Sequence, residues 1–349
     1  MKVLLILNHA PDYRESFLRE LGSQVDLTVV AQPCEPDGLT PPDERVHYRY
    51  VEIVPFKFFG LFWQSGLKTI LHERSWDVVC VSANLRHVSR VVLFLKNPSY
   101  RERWVWWGHI FGRSESKVLS IFRKYLVAKA ACCLVHGKSI ATCLNEEFGV
   151  NAVSFNNTEI KENELRQSVF DAHKELRLLF VGRYQPRKQL ERLITLTDRM
   201  DSVRVRLIGP GMDTLSIPND LLVSRRIELF GRTVGEELNA HFDWTDLVAN
   251  PGHVGLLVMN AARHGKGIVI DSGSDHAPEF YLAKESEQPF IPFSDIHAVE
   301  RFVTKVLENR TLLQHWGDIL QEKAKQEYTI ESMADTHIRA FESLCHGDG

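Results

Sequence analysis

Two short stretches of this chain bring together the residue types that hold phosphate. The first is Gly182-Arg183-Tyr184-Gln185-Pro186-Arg187-Lys188, where an apolar run of strand length ends in a glycine and three cations follow. Glycine lets a ligand approach the backbone closely, and Arg and Lys give charge-assisted hydrogen bonds to phosphate oxygens. Arg183 and Lys188 stand five residues apart, which predicts one on the loop and the other on the first turn of a helix opening near Lys188. A solvated basic loop is the simpler alternative. The second stretch is Asn250-Pro251-Gly252-His253-Val254-Gly255-Leu256, continuing into Leu257-Val258-Met259-Asn260. It reads as a strand ending in a Pro-Gly turn, with a helix from about Gly255 whose unpaired N–H groups and dipole would hold an anion. Asn260 would then reach a ribose hydroxyl. A packing turn would have the same pattern.

Elements that can position these loops are visible as apolar periodicity. Val3–Leu7, Val25–Val30, Asp77–Val81, Trp104–Trp107 and Ala131–Val135 read as strands alternating with helical stretches. The pattern restarts at Leu176–Val181, Val203–Ile208, Ile227–Phe230, Asp246–Ala249 and Gly267–Asp271, with helices expected over Leu190–Arg199, Gly235–His241 and Gly255–His264. Such alternation predicts an α/β chain of doubly wound parallel sheets. The 349 residues suggest two domains, one over 1–165 and one over 170–327, joined by the polar stretch 156–174. The turn after the first strand, Asn8-His9-Ala10-Pro11-Asp12, lacks Gly-x-Gly-x-x-Gly, which argues against a dinucleotide dehydrogenase. Gly209-Pro210-Gly211 also follows a strand but has no third glycine in register, and reads as a plain turn.

Net charge is −3, but residues 1–168 carry +3 and the remainder −6. Arg86 to Lys138 holds eleven basic residues against only Glu102 and Glu115. That field suits an anionic partner, or is simply a solvated basic face. Pro55–Trp63 is densely aromatic, and Lys117–Leu126 has the pattern of a basic amphipathic helix. These either dock on an anionic membrane or lipid-diphosphate acceptor, or pack as core and sheet cover. The six cysteines form no CxxC pair and read as thiols of a reducing compartment. With no signal peptide and no apolar run of spanning length, the expected location is the cytoplasm, or the inner face of the cell membrane. No HExxH, Cys/His zinc spacing or DxD-like pair is present, so no metal site is expected. Nucleic-acid binding is disfavoured because the basic segment carries no recognised module.

The succession Val181-Gly182-Arg183…Lys188, Leu207-Ile208-Gly209-Pro210-Gly211, Phe230-Gly231-Arg232 with Glu236-Glu237-Leu238, then Asn250-Pro251…Gly255-Leu256…Asn260-Ala261…Gly265-Lys266 resembles the donor half of retaining glycosyltransferases of the GT4 type. The resemblance covers about residues 176–283, the first half only loosely. It implies the GT-B fold: two Rossmann-like domains facing a central cleft, with a C-terminal helix, here within 328–349, crossing back to the first. It implies that Arg183 and Lys188 hold the donor diphosphate. It also places Phe230-Gly231-Arg232 at the base, and the N–H groups of Gly255 and Leu256 on phosphate, flanked by Gly182, Gly209, His253 and Val254. Members usually carry two glutamates seven residues apart; those positions here are Gly252 and Asn260. A bacterial polysaccharide-biosynthesis branch with Pro-Gly-x-Val-Gly-Leu also lacks the first, and this chain is similar to it. Glu279 takes either a sugar- or ribose-facing role or a helix cap.

In the first half, His109 follows the strand Trp104–Trp107 at a place where such enzymes set a histidine toward the donor sugar; a structural histidine is the alternative. Asn8, His9 and Asp12 would line the acceptor side, Asp12 having the carboxylate able to assist an acceptor hydroxyl. In a front-side retaining mechanism, Arg183 and Lys188 would supply the main catalytic effect by stabilising the leaving diphosphate. The resulting expectation is metal-independent transfer, with no cofactor beyond the substrate nucleotide sugar. A UDP-sugar is favoured from family frequency, and the acceptor is a glycan or lipid-linked glycan of surface polysaccharide biosynthesis. A nucleotide-sugar 2-epimerase and a non-catalytic GT-B binding subunit are the alternatives.

Overall fold

The structure is a computed structural model that describes residues 1–349 apart from 36–38, 109, 111–116, 169, 171–172 and 346–349. The chain divides into two compact units, Met1–Glu159 with Ile330–Gly349, and Ile160–Thr329. Each is an α/β unit built on a fully parallel sheet.

The first unit runs β1 (Lys2–Ile6), α1 (Asp12–Gln24), β2 (Asp26–Ala31), β3 (Arg49–Glu52), then a hairpin of β4 (Phe56–Phe58) and β5 (Leu61–Trp63). It continues with α2 (Leu67–His72), β6 (Val78–Ser82), α3 (Val88–Lys96), β7 (Trp104–Gly108), α4 (Lys117–Ala128), β8 (Cys132–His136), α5 (Lys138–Phe148) and β9 (Ala152–Phe155). Strand order is β3-β2-β1-β6-β7-β8-β9. Helices cover both faces of such a sheet, so its central strands are apolar throughout. β7 shows the division: Trp104 and Trp106 enter one core layer, Val105 and Trp107 the other.

The second unit contains β10 (Leu176–Val181), α6 (Glu191–Arg199), β11 (Val203–Ile208), α7 (Asn219–Val223), β12 (Ile227–Phe230), α8 (Gly235–Trp244), β13 (Leu247–Asn250) and α9 (Leu257–Arg263). After these come β14 (Ile268–Asp271), α10 (Phe280–Glu285), β15 (Phe290–Ile291), α11 (Ile296–Glu308) and α12 (Thr311–Glu327). Its order is β12-β11-β10-β13-β14-β15. The stretch read as a linker is partly core, since Ile160 is fully buried in this unit. α13 (Ile330–Cys345) returns to the first unit, burying Ile330, Met333, Ala334, His337, Ala340 and Phe341 along one helical face. His337 is wholly buried there, accepting from Trp107 Nε1 at 2.9 Å and donating to the Met333 carbonyl at 2.7 Å. Burial holds its pKa down to about 4, so it is neutral.

In both sheets the strand order reverses at the first strand, between β1 and β6 and between β10 and β13. The crevice beyond the carboxyl ends of such a strand pair is where open α/β sheets bind ligands. Packing alone therefore selects the loops after β10 and β13, the two stretches singled out by their residue types.

Candidate functional site

The loop after β10 is shaped by close backbone contact. Gly182 lies at φ +153°, and the Gly182 N–H bonds the Ile208 carbonyl at 2.9 Å. Gly209, at φ +139°, sits so near that a Cβ there would stand 2.1 Å from the Gly182 oxygen. Tyr184 N–H bonds the Pro210 carbonyl at 2.9 Å, and Gly209 N–H the Phe230 carbonyl at 3.0 Å. Gly182, Gly209 and Phe230 thus form successive steps along the carboxyl edge of β10, β11 and β12. Gly209-Pro210-Gly211 is a packing turn that shapes the site. Beyond it Phe230 is half-buried, its ring 4.3 Å from His241, while Gly231 and Arg232 are exposed.

Lys188 differs from expectation. It closes a 3₁₀ turn, Pro186–Lys188, followed by Gln189 in the left-handed region at φ +53°, so α6 begins only at Glu191. The turn brings the half-buried Lys188 against the second loop: its Nζ donates to the His253 carbonyl at 2.6 Å, and His253 N–H donates to the Arg187 carbonyl at 2.9 Å. Arg192 fastens the same seam, bonding the Pro251 carbonyl at 2.9 Å and the Asp271 carboxylate at 3.2 Å. Burial presses the Lys188 pKa down to about 8, Arg187 acting the same way and Glu279 opposing both. Arg183 and Arg187 are exposed.

The second loop is equally constrained. A Cβ on Gly252 would stand 2.4 Å from the Arg187 carbonyl oxygen and 2.7 Å from that of Lys188. The carboxylate expected at this position is therefore not merely missing; the seam leaves no room for a side chain. His253 Nδ1 donates to the Asp275 carbonyl at 2.7 Å. His276 Nε2 donates to the Asp271 carbonyl at 2.9 Å, while its Nδ1 accepts from Val254 N–H at 3.2 Å. Burial lowers the pKa of both histidines, which keeps them neutral and suits these roles. Gly255 and Leu256 precede α9 rather than opening it, since that helix starts at Leu257. Among the described residues, neither of their N–H groups makes a hydrogen bond. Asn260 lies in the second turn of α9, its Oδ1 accepting from Arg263 at 3.4 Å. Glu279 stands at the N-cap position of α10 but makes no side-chain cap bond; it is buried, and its charge acts on Lys188.

Of the residues expected in the first half, His109 lies outside the described residues. Asp12 is exposed and opens α1, its carboxylate accepting Tyr13 N–H at 2.7 Å. Asn8 and His9 follow β1 at the other switch point. The Asn8 side-chain oxygen is held by Arg90 at 2.7 Å, and His9 bonds the Pro33 carbonyl at 3.0 Å and the Gln32 amide at 2.7 Å. Arg90 is fully buried and also donates to the Leu7 carbonyl at 2.8 Å and Gln64 at 2.9 Å. Burial lowers its pKa to about 9. Neutral oxygens, not a carboxylate, satisfy this guanidinium. Arg90, Arg192, Asp271 and His276 organise the loops, and nothing in their spacing announced it, because each acts across a fold-dependent contact. Among the described residues no group of three or more His, Cys, Asp or Glu is placed to hold a metal ion.

No protein-family model matches the chain, and a search of curated proteins finds no match. Solved structures do resemble it. A sucrose-phosphate synthase from Thermosynechococcus elongatus superposes with TM-score 0.71 at 12% identity, covering 100% of both chains. Anabaena HepE in complex with UDP superposes at 0.68 and 13% identity, covering 98% of this chain and 100% of that one. A glycosyltransferase from Rickettsia africae superposes at 0.71 and 8% identity, covering 99% of each. The shared architecture is the GT-B fold.

Proposed function

We propose that the chain is a glycosyltransferase taking its sugar from a nucleotide diphosphate, with a UDP-sugar as donor. The observation that carries this reading is the seam between the loops after β10 and β13. There Lys188 is bonded to the His253 carbonyl, two residues before Gly255, and Arg183 lies on the loop that leaves β10, at a sheet switch point. Its support from likeness is that HepE has been solved with UDP and with UDP-glucose on the same fold. Arg183 and Lys188 would stabilise the leaving diphosphate, so the transfer proposed is metal-independent. Retention by front-side attack, which needs no protein nucleophile, is the mechanism proposed, and Gly252 leaves no room for a carboxylate at that position. Glu279 would face the sugar or ribose, Asn260 the ribose, and Phe230-Gly231-Arg232 the base. The acceptor proposed is a glycan or lipid-linked glycan of a surface polysaccharide, met at the cytoplasmic face of a membrane.

Calorimetry with UDP, and turnover of UDP-glucose with and without EDTA, test the proposal. Binding with EDTA-insensitive turnover supports it; no UDP or UDP-sugar binding sinks it. The exclusion at Gly252 favours one second reading, a donor-binding subunit without turnover, and any donor hydrolysis or transfer counts against that.

The pH dependence has a definite sign. A bound diphosphate raises the Lys188 pKa above its free value of about 8. The affinity from its charge is fully present below about pH 8 and is lost as pH rises from there toward the bound-state pKa. Affinity for UDP-glucose, whose diphosphate does not titrate in this range, is thus expected to be flat from pH 6.5 to 7.5 and to fall up to roughly tenfold per unit above 8. In Lys188→Arg the fall disappears, because guanidinium stays charged.

A further inference from the structure

Exposed large apolar side chains are not spread evenly over this protein. Of the fourteen among the described residues, six lie within Val54–Trp63 and four within Leu119–Tyr125, all in the first unit. The β4–β5 register pairs Phe56 with Trp63, Lys57 with Phe62, and Phe58 with Leu61. Cross-strand partners share a face. One face of the ribbon is therefore Phe56, Phe58, Leu61 and Trp63, each 45–68% exposed. The other face anchors the hairpin: the Phe62 ring stacks on His87 at 4.7 Å, and the Phe62 N–H bonds the Arg86 carbonyl at 2.7 Å.

The tip adds a second observation. Phe59 and Gly60 lie at φ +44° and +75°, the positive-φ pair that primed two-residue hairpin turns require and that Asn-Gly fills best. A phenylalanine there costs roughly 1–2 kcal/mol of local strain, yet its side chain is 90% exposed and its ring meets the edge of the Phe58 ring at 4.5 Å, itself 61% exposed. A strained tip that holds an exposed aromatic cluster outward points to an external partner.

The surroundings identify the partner's chemistry. Ile53 to His72 contains Lys57 and Lys68 and no acid. Arg86 bonds the Gly60 carbonyl at 2.9 Å, with its guanidinium 5.4 Å from the Phe62 ring. α4 stands on the same loop after β6, Arg123 donating to the Ala83 carbonyl at 3.3 Å. That helix exposes Ile121 and Tyr125 beside Lys124. Aromatic side chains fringed by Lys and Arg match the boundary between acyl chains and anionic headgroups, where rings bury and cations stay at the phosphates. No described helix is long and apolar enough to cross a membrane. We infer that the β4–β5 hairpin, with α4 beside it, inserts into the surface of an anionic bilayer and holds the first unit there. This deepens the lipid-linked acceptor reading by naming the surface on which the acceptor is met.

The test is vesicle flotation without nucleotide, using phosphatidylcholine alone and phosphatidylcholine mixed with phosphatidylglycerol. Wild type is expected to float with the mixed vesicles only, and less as salt rises. Phe59→Asn is the informative variant because it suits the turn: its Tm should stay or rise while partition falls about tenfold, the value of one buried phenyl ring. Adding Trp63→Ser should abolish flotation. Wild type that never floats, or Phe59→Asn that floats unchanged, overturns the inference. So does a dimer in sedimentation that Phe59→Asn dissociates, since the face would then be a protein interface. UDP titration of the same variants keeps the two readings apart: vesicle docking without UDP binding would fail the transferase proposal and leave the docking intact.

Discussion

Replacing both Arg183 and Lys188 with alanine is expected to weaken UDP binding by about 10²–10⁴-fold, at two charge-assisted contacts of roughly 1.5–3 kcal/mol each. The singles should differ in kind. Arg183 is exposed, so Arg183→Ala should remove the proposed phosphate contact and leave Tm within about 1 °C of wild type. Lys188 also ties the two loops through the His253 carbonyl. Lys188→Ala therefore frees the loop after β13 as well, and should lower Tm in addition to affinity. Calorimetry and differential scanning read the two effects separately. A double variant that binds UDP like wild type would remove the basis for a donor site here.

Gly252→Ala is the second large effect, and it comes from one methyl group. The added Cβ meets two backbone carbonyls at 2.4 and 2.7 Å, and backbone gives way less easily than a flexible side chain. Overpacking of this sort costs roughly 1–3 kcal/mol, which in a unit of this size lowers Tm by about 3–10 °C. Separating the loops also breaks the His253–Arg187 and Lys188–His253 bonds, so UDP affinity should fall more than about tenfold. Gly252→Glu, which installs the carboxylate that the GT4 resemblance would place here, should be worse and not better. Gly231→Ala is the control: a Cβ there meets nothing within 4 Å, and its Tm should not move. A Gly252→Ala protein as stable as wild type, with intact UDP affinity, would show that the seam is not closed as described.

Much of the architecture was legible because parallel strands buried on both faces must be continuous apolar runs. Val3–Leu7, Leu176–Val181 and Val203–Ile208 announced themselves, and most core strands fall within a residue or two of their reading. The make-up of the candidate site was legible where it is local: a glycine ending a strand, cations just beyond it, a Pro-Gly turn. Helix starts were less so, since Lys188 sits on a 3₁₀ turn and α9 opens two residues after Gly255. Those boundaries are set by contacts between the loops, not by the propensities of the residues in them.

The aromatic run Pro55–Trp63 shows the limit from the other side. Composition left burial and exposure equally open, and only pairing in the hairpin decided that four apolar side chains share one outward face. Gly252 shows it for the site. By the GT4 resemblance it is a glutamate position without its glutamate; in the structure it is where two backbones touch. The chain by itself determined its strands, its alternation and the glycines and cations at two loops, because each depends on near neighbours. Which loops meet, which cation is half-buried and which position has no space for a side chain depend on residues sixty or more apart. Those were decided only when the strand order brought β10 beside β13.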